Sequence, residues 1–515
     1  MITSTAVGLN GSQPWDGAIV NGAPALPVTP TISASDVSAV NAASRVTIQS
    51  GPAPVSPVYA LPAETVAWAS PPADAISETM LANVRTGNGA DNASTLLSGL
   101  GASLLSRFAA TQTDYDQAVS DYFSLGASEA NRAQSVFRAQ TAENKISLAL
   151  KTASGKQVEV QIAFDQNNQD VSKSLAVQIR TSSQLTQEES AAVAGLAQGF
   201  ETALKGIAQN SSINQVTTPP SIDLSGLLNA DFRVLASVDL KVNEASRFTG
   251  LQSFAFHADA GSRSVALNSA SGTVSVNVNT SALAPAGGKE QQKAAIERYL
   301  RQFDAANTRA QGQPALLSQL KDMFSQLQSA NPVNSTQVLP QPAAFTAASK
   351  QWLSGLADFQ ASMSGEFSES EGNELRMTGK LDYQAAQKTS VVSEGNRLSA
   401  SQTETSSLNA TILRSRGGAL HTETGNYDIY RIHDNSSVTT AFSTVTRPDG
   451  SSYVEAASRT RLIQQLMHYE KLVNHKAVET RDTPDNIAGA VNLLTQKTPD
   501  NPGINDAEPV SPTRK

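Results

Sequence analysis

The chain has 515 residues, no cysteine, and 38 Lys and Arg against 46 Asp and Glu, a net charge of −8 at pH 7. Lack of a thiol excludes disulfides, thiolate nucleophiles and soft-metal ligation. The basic residues form no cluster, which argues against a nucleic-acid partner, since counterion displacement needs one.

Hydrophobic residues make up 39% and charged residues 16% of the chain. Both lie under the roughly 45–50% and 25% of ordinary globular domains, so uncharged polar side chains must fill loops, tails or one-sided sheets. The length predicts two to four folded units. No apolar run approaches the ~18–20 residues of a membrane-spanning helix. Residues 1–30 hold no Lys or Arg and no continuous apolar stretch. A cleaved Sec-type signal is therefore not expected, which leaves a cytoplasmic protein or one exported by another route.

Residues 1–75 are rich in Pro, Ser, Thr and Ala and are expected to be disordered, because they cannot bury enough apolar surface to offset chain entropy. Leu96, Leu97, Leu100, Leu104, Leu105 and Phe108 recur at helical spacing, and Tyr115, Val119, Tyr122 and Phe123 extend that stripe. Gly126 is the expected end of the helix, and Ser128 is an N-cap candidate for the next. The period then changes to two. Ile146-Leu148-Leu150, Val158-Val160-Ile162-Phe164 and Leu175-Val177-Ile179 predict an antiparallel meander with one wet face. Thr186 and Glu189 form a capping-box pattern opening a helix whose Val193, Leu196, Phe200, Leu204 and Ile207 should cover that meander.

Phe232 to Val242 alternates without a break, and Phe254-Phe256, Val265-Leu267 and Val274-Val276-Val278 continue the β region, with a hairpin turn at Ser271-Gly272. Lys289 to Phe303 and Pro314 to Gln328 predict helices. Leu224-Ser225-Gly226-Leu227 with Ala230-Asp231-Phe232 is echoed by Leu353-Ser354-Gly355-Leu356 with Ala357-Asp358-Phe359, which suggests a duplicated strand-entry element. From Glu366 to Val454 sparse apolar residues predict long polar strands, with a turn at Arg447-Pro448-Asp449-Gly450. Arg459 to Val478 is expected to be an amphipathic helix, and the tail from Arg481 to be mobile.

Histidines give the only hint of a site. His421 and Glu423 would share one face of a strand, Asp434 follows His433, and His468 and His475 would lie two turns apart on the expected helix. Together His421, Glu423, His433, Asp434, His468 and His475 are the candidate metal ligands, although no zinc-site spacing occurs among them. Asp165 to Asp170 lacks the glycine and later glutamate of a calcium loop and is expected to be a turn. Gly287-Gly288-Lys289 lacks the remaining residues of a phosphate loop. No nucleophile elbow occurs, catalysis is not favoured, and no cofactor is implied.

The expected fold is α+β: antiparallel β-meanders covered by amphipathic helices, with disordered N- and C-terminal segments. Residues 76–330 would form one module and 331–480 a second, each with its own sheet, followed by a disordered tail over 481–515. In composition the chain resembles bacterial exported or appendage-associated proteins. The leading expectation is a non-catalytic bacterial protein acting through protein surfaces, exported or associated with a cell-surface, appendage or secretion system, with protein partners. The alternatives are a hydrolase or metal-dependent enzyme using the histidines of 421–475, and a soluble cytoplasmic binding protein with a ligand site between the modules.

Overall fold

The computed structural model describes residues 66–86, 92–121, 128–166, 173–210, 221–243, 251–281, 287–329, 345 and 347–495. Fifteen strands among them form one antiparallel sheet. In chain order they begin with β1 (Val66–Trp68), β2 (Tyr115–Asp121), β3 (Asn144–Thr152), β4 (Gln157–Gln166) and β5 (Lys173–Thr181). Next come β6 (Leu235–Asn243), β7 (Leu251–Asp259), β8 (Ser262–Ser269), β9 (Gly272–Asn279) and β10 (Asp358–Glu371). The sheet ends with β11 (Glu374–Glu394), β12 (Arg397–Arg414), β13 (Asp428–Thr446), β14 (Ser452–Val473) and β15 (Lys476–Asn492). The spatial order is β1-β2-β5-β4-β3-β6, after which each strand pairs with its successor.

Alternation decides which face is dry. Leu148, Leu240 and Phe256 stand in register across β3, β6 and β7 and are all buried, while the Ala149, Asp239, His257 row beside them faces the other way. The buried face carries the helices. The first group is α1 (Ala75–Thr86), α2 (Asn92–Leu97) and α3 (Leu100–Thr111). A fourth helix, α4 (Glu129–Gln140), takes the opposite face, where Ala139 meets Ala118, Ala163 and Ala176. α5 (Gln187–Gly195), α6 (Ala197–Asn210) and α7 (Ser225–Leu228) return to the first face, followed by α8 (Lys289–Ala310), α9 (Pro314–Ser329) and the short α10 (Ala347–Lys350).

Local chemistry explains several boundaries. Ser128 caps α4 by accepting from Asn131 N at 3.2 Å. Thr186 and Glu189 form the full capping box at α5. Glu189 also accepts from Ser154 at 2.5 Å and Lys156 at 2.9 Å, so it ties the β3–β4 hairpin to the helix. These bonds, led by that from Ser154, pull its carboxyl down to about 2. Glu201 of α6 bridges Gly99 N and Gly101 N at 2.7 and 2.9 Å, capping the start of α3.

The core runs without interruption from Val66 to Met467. Its aromatic centre joins Tyr299 and Phe303 of α8 and Phe324 of α9 to Phe359 of β10 and Tyr383 of β11, edge to face at 4.8–5.9 Å. A smaller cluster gathers Trp352, Leu353, Ala400, Phe442, Ala457 and Leu493.

The α+β class and the antiparallel meanders under helices stand as expected. The two β regions do not form separate sheets, however, because β9 pairs with β10 from Asn279–Asp358 to Thr273–Ser364. Each strand carries an inward apolar row, Val274-Val276-Val278 and Phe359-Ala361-Met363, and pairing them removes two exposed edges at once. Arg459–Val478 is strand, not helix: β14 runs to Val473, with Ile463 and Met467 buried on one face and Leu462 exposed on the other. Apolar residues on both faces of a strand imitate helical spacing.

Residues 115–121 are likewise strand β2, because Gln112 in the left-handed region (φ 49°) ends α3 first. The chain from Arg481 to Asn492 is paired in β15. Of the stretch 1–75, Val66–Trp68 is strand β1, and residues 1–65 and 496–515 lie outside the described residues, as do Gly126 and residues 167–172.

The echoed element is only partly duplicated. Phe359 lies inside β10, whereas Phe232 sits in the turn before β6. The glycines do share a role: Gly226 packs on Gly199 and Gly355 on Gly287 so closely that a Cβ on either would lie within 3 Å of the facing backbone.

Candidate functional site

The sequence-nominated histidines fall in three places. His421 and Glu423 lie on the short 3-10 turn Thr422–Thr424 and its cap, paired at 2.9 Å. A hydrogen bond from its own backbone, then the one from His421, keeps the Glu423 carboxyl below its ordinary range. His475 reaches the same turn from the β14–β15 hairpin. Its Nε2 is 3.0 Å from Glu423 O, and its backbone N donates to Gly425 O at 3.1 Å. His475 has φ 63°, so the sharp hairpin, not a helix, sets its direction.

His433 and Asp434 are neighbours on β13 and therefore point to opposite faces. His433 meets Asn409 at 2.9 Å on the exposed side. Asp434 is buried and receives Arg309 Nε and Nη2 of α8. Burial raises the Asp434 carboxyl despite the facing Arg309. His468 on β14 lies between Asp482 of β15 at 2.5 Å and Glu470 at 3.2 Å, and these bonds raise its pKa. The structure thus brings together His421, Glu423 and His475 through one turn, and separates His433, Asp434 and His468. Among the described residues no group of three or more His, Asp and Glu side chains is arranged to hold a metal ion.

A different histidine has the denser surroundings. His257 of β7 puts Nδ1 2.7 Å from Asp239 of β6 and Nε2 3.1 Å from Asp259. Burial alone would lower its pKa, but the two carboxylates raise it. A carboxylate at each nitrogen favours the doubly protonated ring, which donates to both. That makes it an ion-pair clip between β6 and β7, with no nitrogen left open to act as a base. Asp259 then accepts from Gly261 N and Ser262 N at 2.7 and 2.6 Å and so shapes the β7–β8 turn. Sequence alone could not single out His257: its partners lie on two strands whose register is fixed only by pairing.

That turn rims a hollow of about 1130 Å³ on the face away from α8 and α9. Ser262, Ser264, Asn277 and Asn279 of β8 and β9 line one side. Asp358 and Gln360 of β10, Lys388 of β11 and Thr403 and Thr405 of β12 line the other. Both carboxylates are occupied, Asp259 as above and Asp358 by Thr389 N and Oγ1, each at 2.7 Å. Arg263 beneath it turns its guanidinium to Leu327 O of α9 at 3.2 Å, so the hollow presents hydroxyls, amides and one lysine. Sequence periodicity names these residues as the wet face of their strands, but not that they adjoin one another across the β9–β10 junction.

Of the charged pairs around the sheet, the buried ones hold helix to strand. Arg298 of α8 meets Glu404 of β12 at 2.6 Å, and Tyr299 Oη donates to Gln387 at 3.2 Å. These groups fix where α8 sits and leave the opposite face of β10–β14 uncovered. No family model, curated protein or solved structure matches the chain.

Proposed function

We propose that the chain is a non-catalytic bacterial protein that works through its surfaces, exported or attached to a cell-surface, appendage or secretion assembly. The observation carrying this reading is the uncovered face of the long strands. There Ser399, Ser401, Thr403 and Thr405 of β12 lie in register with Ser443, Ala441, Thr439 and Ser437 of β13. This stretch of the face is uncharged and wettable, with paired charges such as Lys380–Glu366 and Arg431–Glu470 beyond it, and it is suited to broad contact with a protein partner. The sheet's outer edge is less inviting. β15 is charged at Lys476, Glu479, Arg481, Asp482 and Asp485 and carries Pro484 in mid-strand, features that discourage edge-to-edge pairing. Partners are therefore expected on the face and not on the edge. Epitope-tagging the chain and fractionating cells tests export: signal in the envelope or medium supports it, and signal confined to the cytoplasm rejects it.

A second reading has its own support. A binding protein with its ligand between residues 76–330 and 331–480 is favoured by the hollow, whose lining comes from 259–281 on one side and 358–405 on the other. A deep, ligand-sized concavity with convergent polar groups is the expected form of such a site.

A further inference from the structure

We infer that the hollow across β7–β12 binds a neutral, polyhydroxylated ligand, a stretch of uncharged oligosaccharide; this rests on the second reading above and names its ligand class. The volume of about 1130 Å³ exceeds that of a single sugar ring and suits several linked residues. The charge on its walls is largely internal. Asp259 is taken up by Gly261 N, Ser262 N and His257, and Asp358 by Thr389; of the two lining cations, Arg263 turns to Leu327 O of α9, which leaves Lys388.

A phosphate or sulfate ligand would meet a single outward-facing cation, Lys388, between two carboxylates, and a cationic ligand would meet carboxylates already bonded. What remains is Ser264, Asn277, Gln360 and Thr405, each able to donate and accept. Paired donor-acceptor groups of this kind match sugar hydroxyls, which also do both. Because the strands fix the backbone under these side chains, only their rotamers need ordering on binding. The hollow is open, so a free tetrasaccharide should bind with Kd on the order of 0.1–1 mM, and multivalent display should strengthen the signal.

The test uses the full chain on an array of immobilised neutral and anionic glycans, with hits re-measured by saturation-transfer NMR. Thr405→Arg fills the hollow and Gln360→Ala trims it; both positions are exposed on the wet face, and circular dichroism checks that each variant folds. In parallel, thermal shift is measured with a set of anionic and cationic metabolites. Binding to neutral glycans that weakens at least tenfold in Thr405→Arg and severalfold in Gln360→Ala supports the inference. Charged metabolites that stabilise the wild type but not Thr405→Arg, with no neutral glycan bound, overturn the ligand class and keep the binding-site reading. No binding in either arm, or binding untouched by both variants, overturns both.

Discussion

The strands β3–β9 and β11–β15 alternate in the same way, yet they are held by different means. In β6–β9 the inward positions are Val, Leu and Phe almost throughout, and the outward rows need no cover. In β11–β15 the inward row mixes apolar residues with Gln387, Gln402, Glu404 and Asp434, and the last strand buries almost nothing. The first region is a sheet that a hydrophobic core makes stable. The second is a ribbon of strands up to 22 residues, kept in place by backbone ladders, two buried ion pairs and a small aromatic cluster. Sheet length is thus not proportional to core size, and mutations of equal chemistry should have unequal cost in the two regions.

The largest effect should come from the aromatic centre. Phe324→Ala removes a fully buried ring touching Tyr299, Phe303 and Phe359 and should cost about 3–5 kcal/mol, read by urea denaturation. A loss below about 1 kcal/mol would mean α9 is not packed as described. Next, Asp434→Ala removes the carboxylate facing the buried Arg309 guanidinium and should cost roughly 3 kcal/mol, whereas the double change with Arg309→Met should recover much of it. Failure of that recovery would show that the pair does more than satisfy itself.

Glu189→Gln should cost roughly 2 kcal/mol at pH 7. The folded carboxyl lies at about 2, below its unfolded value, so this contribution is complete above about pH 4.5 and disappears as pH falls toward 2. An unchanged difference between wild type and variant at pH 7 and pH 3 would refute the assignment. His257→Gln has the opposite sign. A raised folded pKa contributes stability that is present below about pH 6.5 and is lost as pH rises through the folded value. Since the ring and both carboxylates are about one third exposed, screening limits the effect to a few tenths of a kcal/mol at pH 5.5, and to none at pH 9. Smallest of all, Ile487→Ala in β15 should cost under about 0.5 kcal/mol, since that side chain is only half-buried. A cost rivalling that of Phe324→Ala would erase the contrast between the regions.

Much of this fold is legible in the residues. The runs at Ile146–Leu150, Val158–Phe164 and Val274–Val278 fall on strands, and Ser128, Thr186 and Pro314 start helices, because alternation and capping are local chemistry. The helix expected over Arg459–Val478 fails for a plain reason. Leu462, Ile463, Leu466 and Met467 satisfy a helical spacing and a two-sided strand equally, and only the neighbouring β13 decides between them. The candidate site was less legible. His421 and Glu423 do meet, but His433 and Asp434 were bound to diverge on a strand, and His468 and His475 part once the helix is replaced by a hairpin. The hollow depends on register between β9 and β10, which are separated in sequence by two long helices.

The central claim is that one sheet runs unbroken through that β9–β10 junction. The chain has no cysteine, so a paired substitution reads without background. Ser275→Cys with Ser362→Cys places two thiols directly opposite across the junction, within disulfide reach for paired strands. Mild oxidation should join them rapidly and nearly completely in the native protein, with far less cross-linking when Ser275→Cys is paired instead with Thr405→Cys. Absence of the first bond, or equal yield from both pairs, would contradict a continuous sheet.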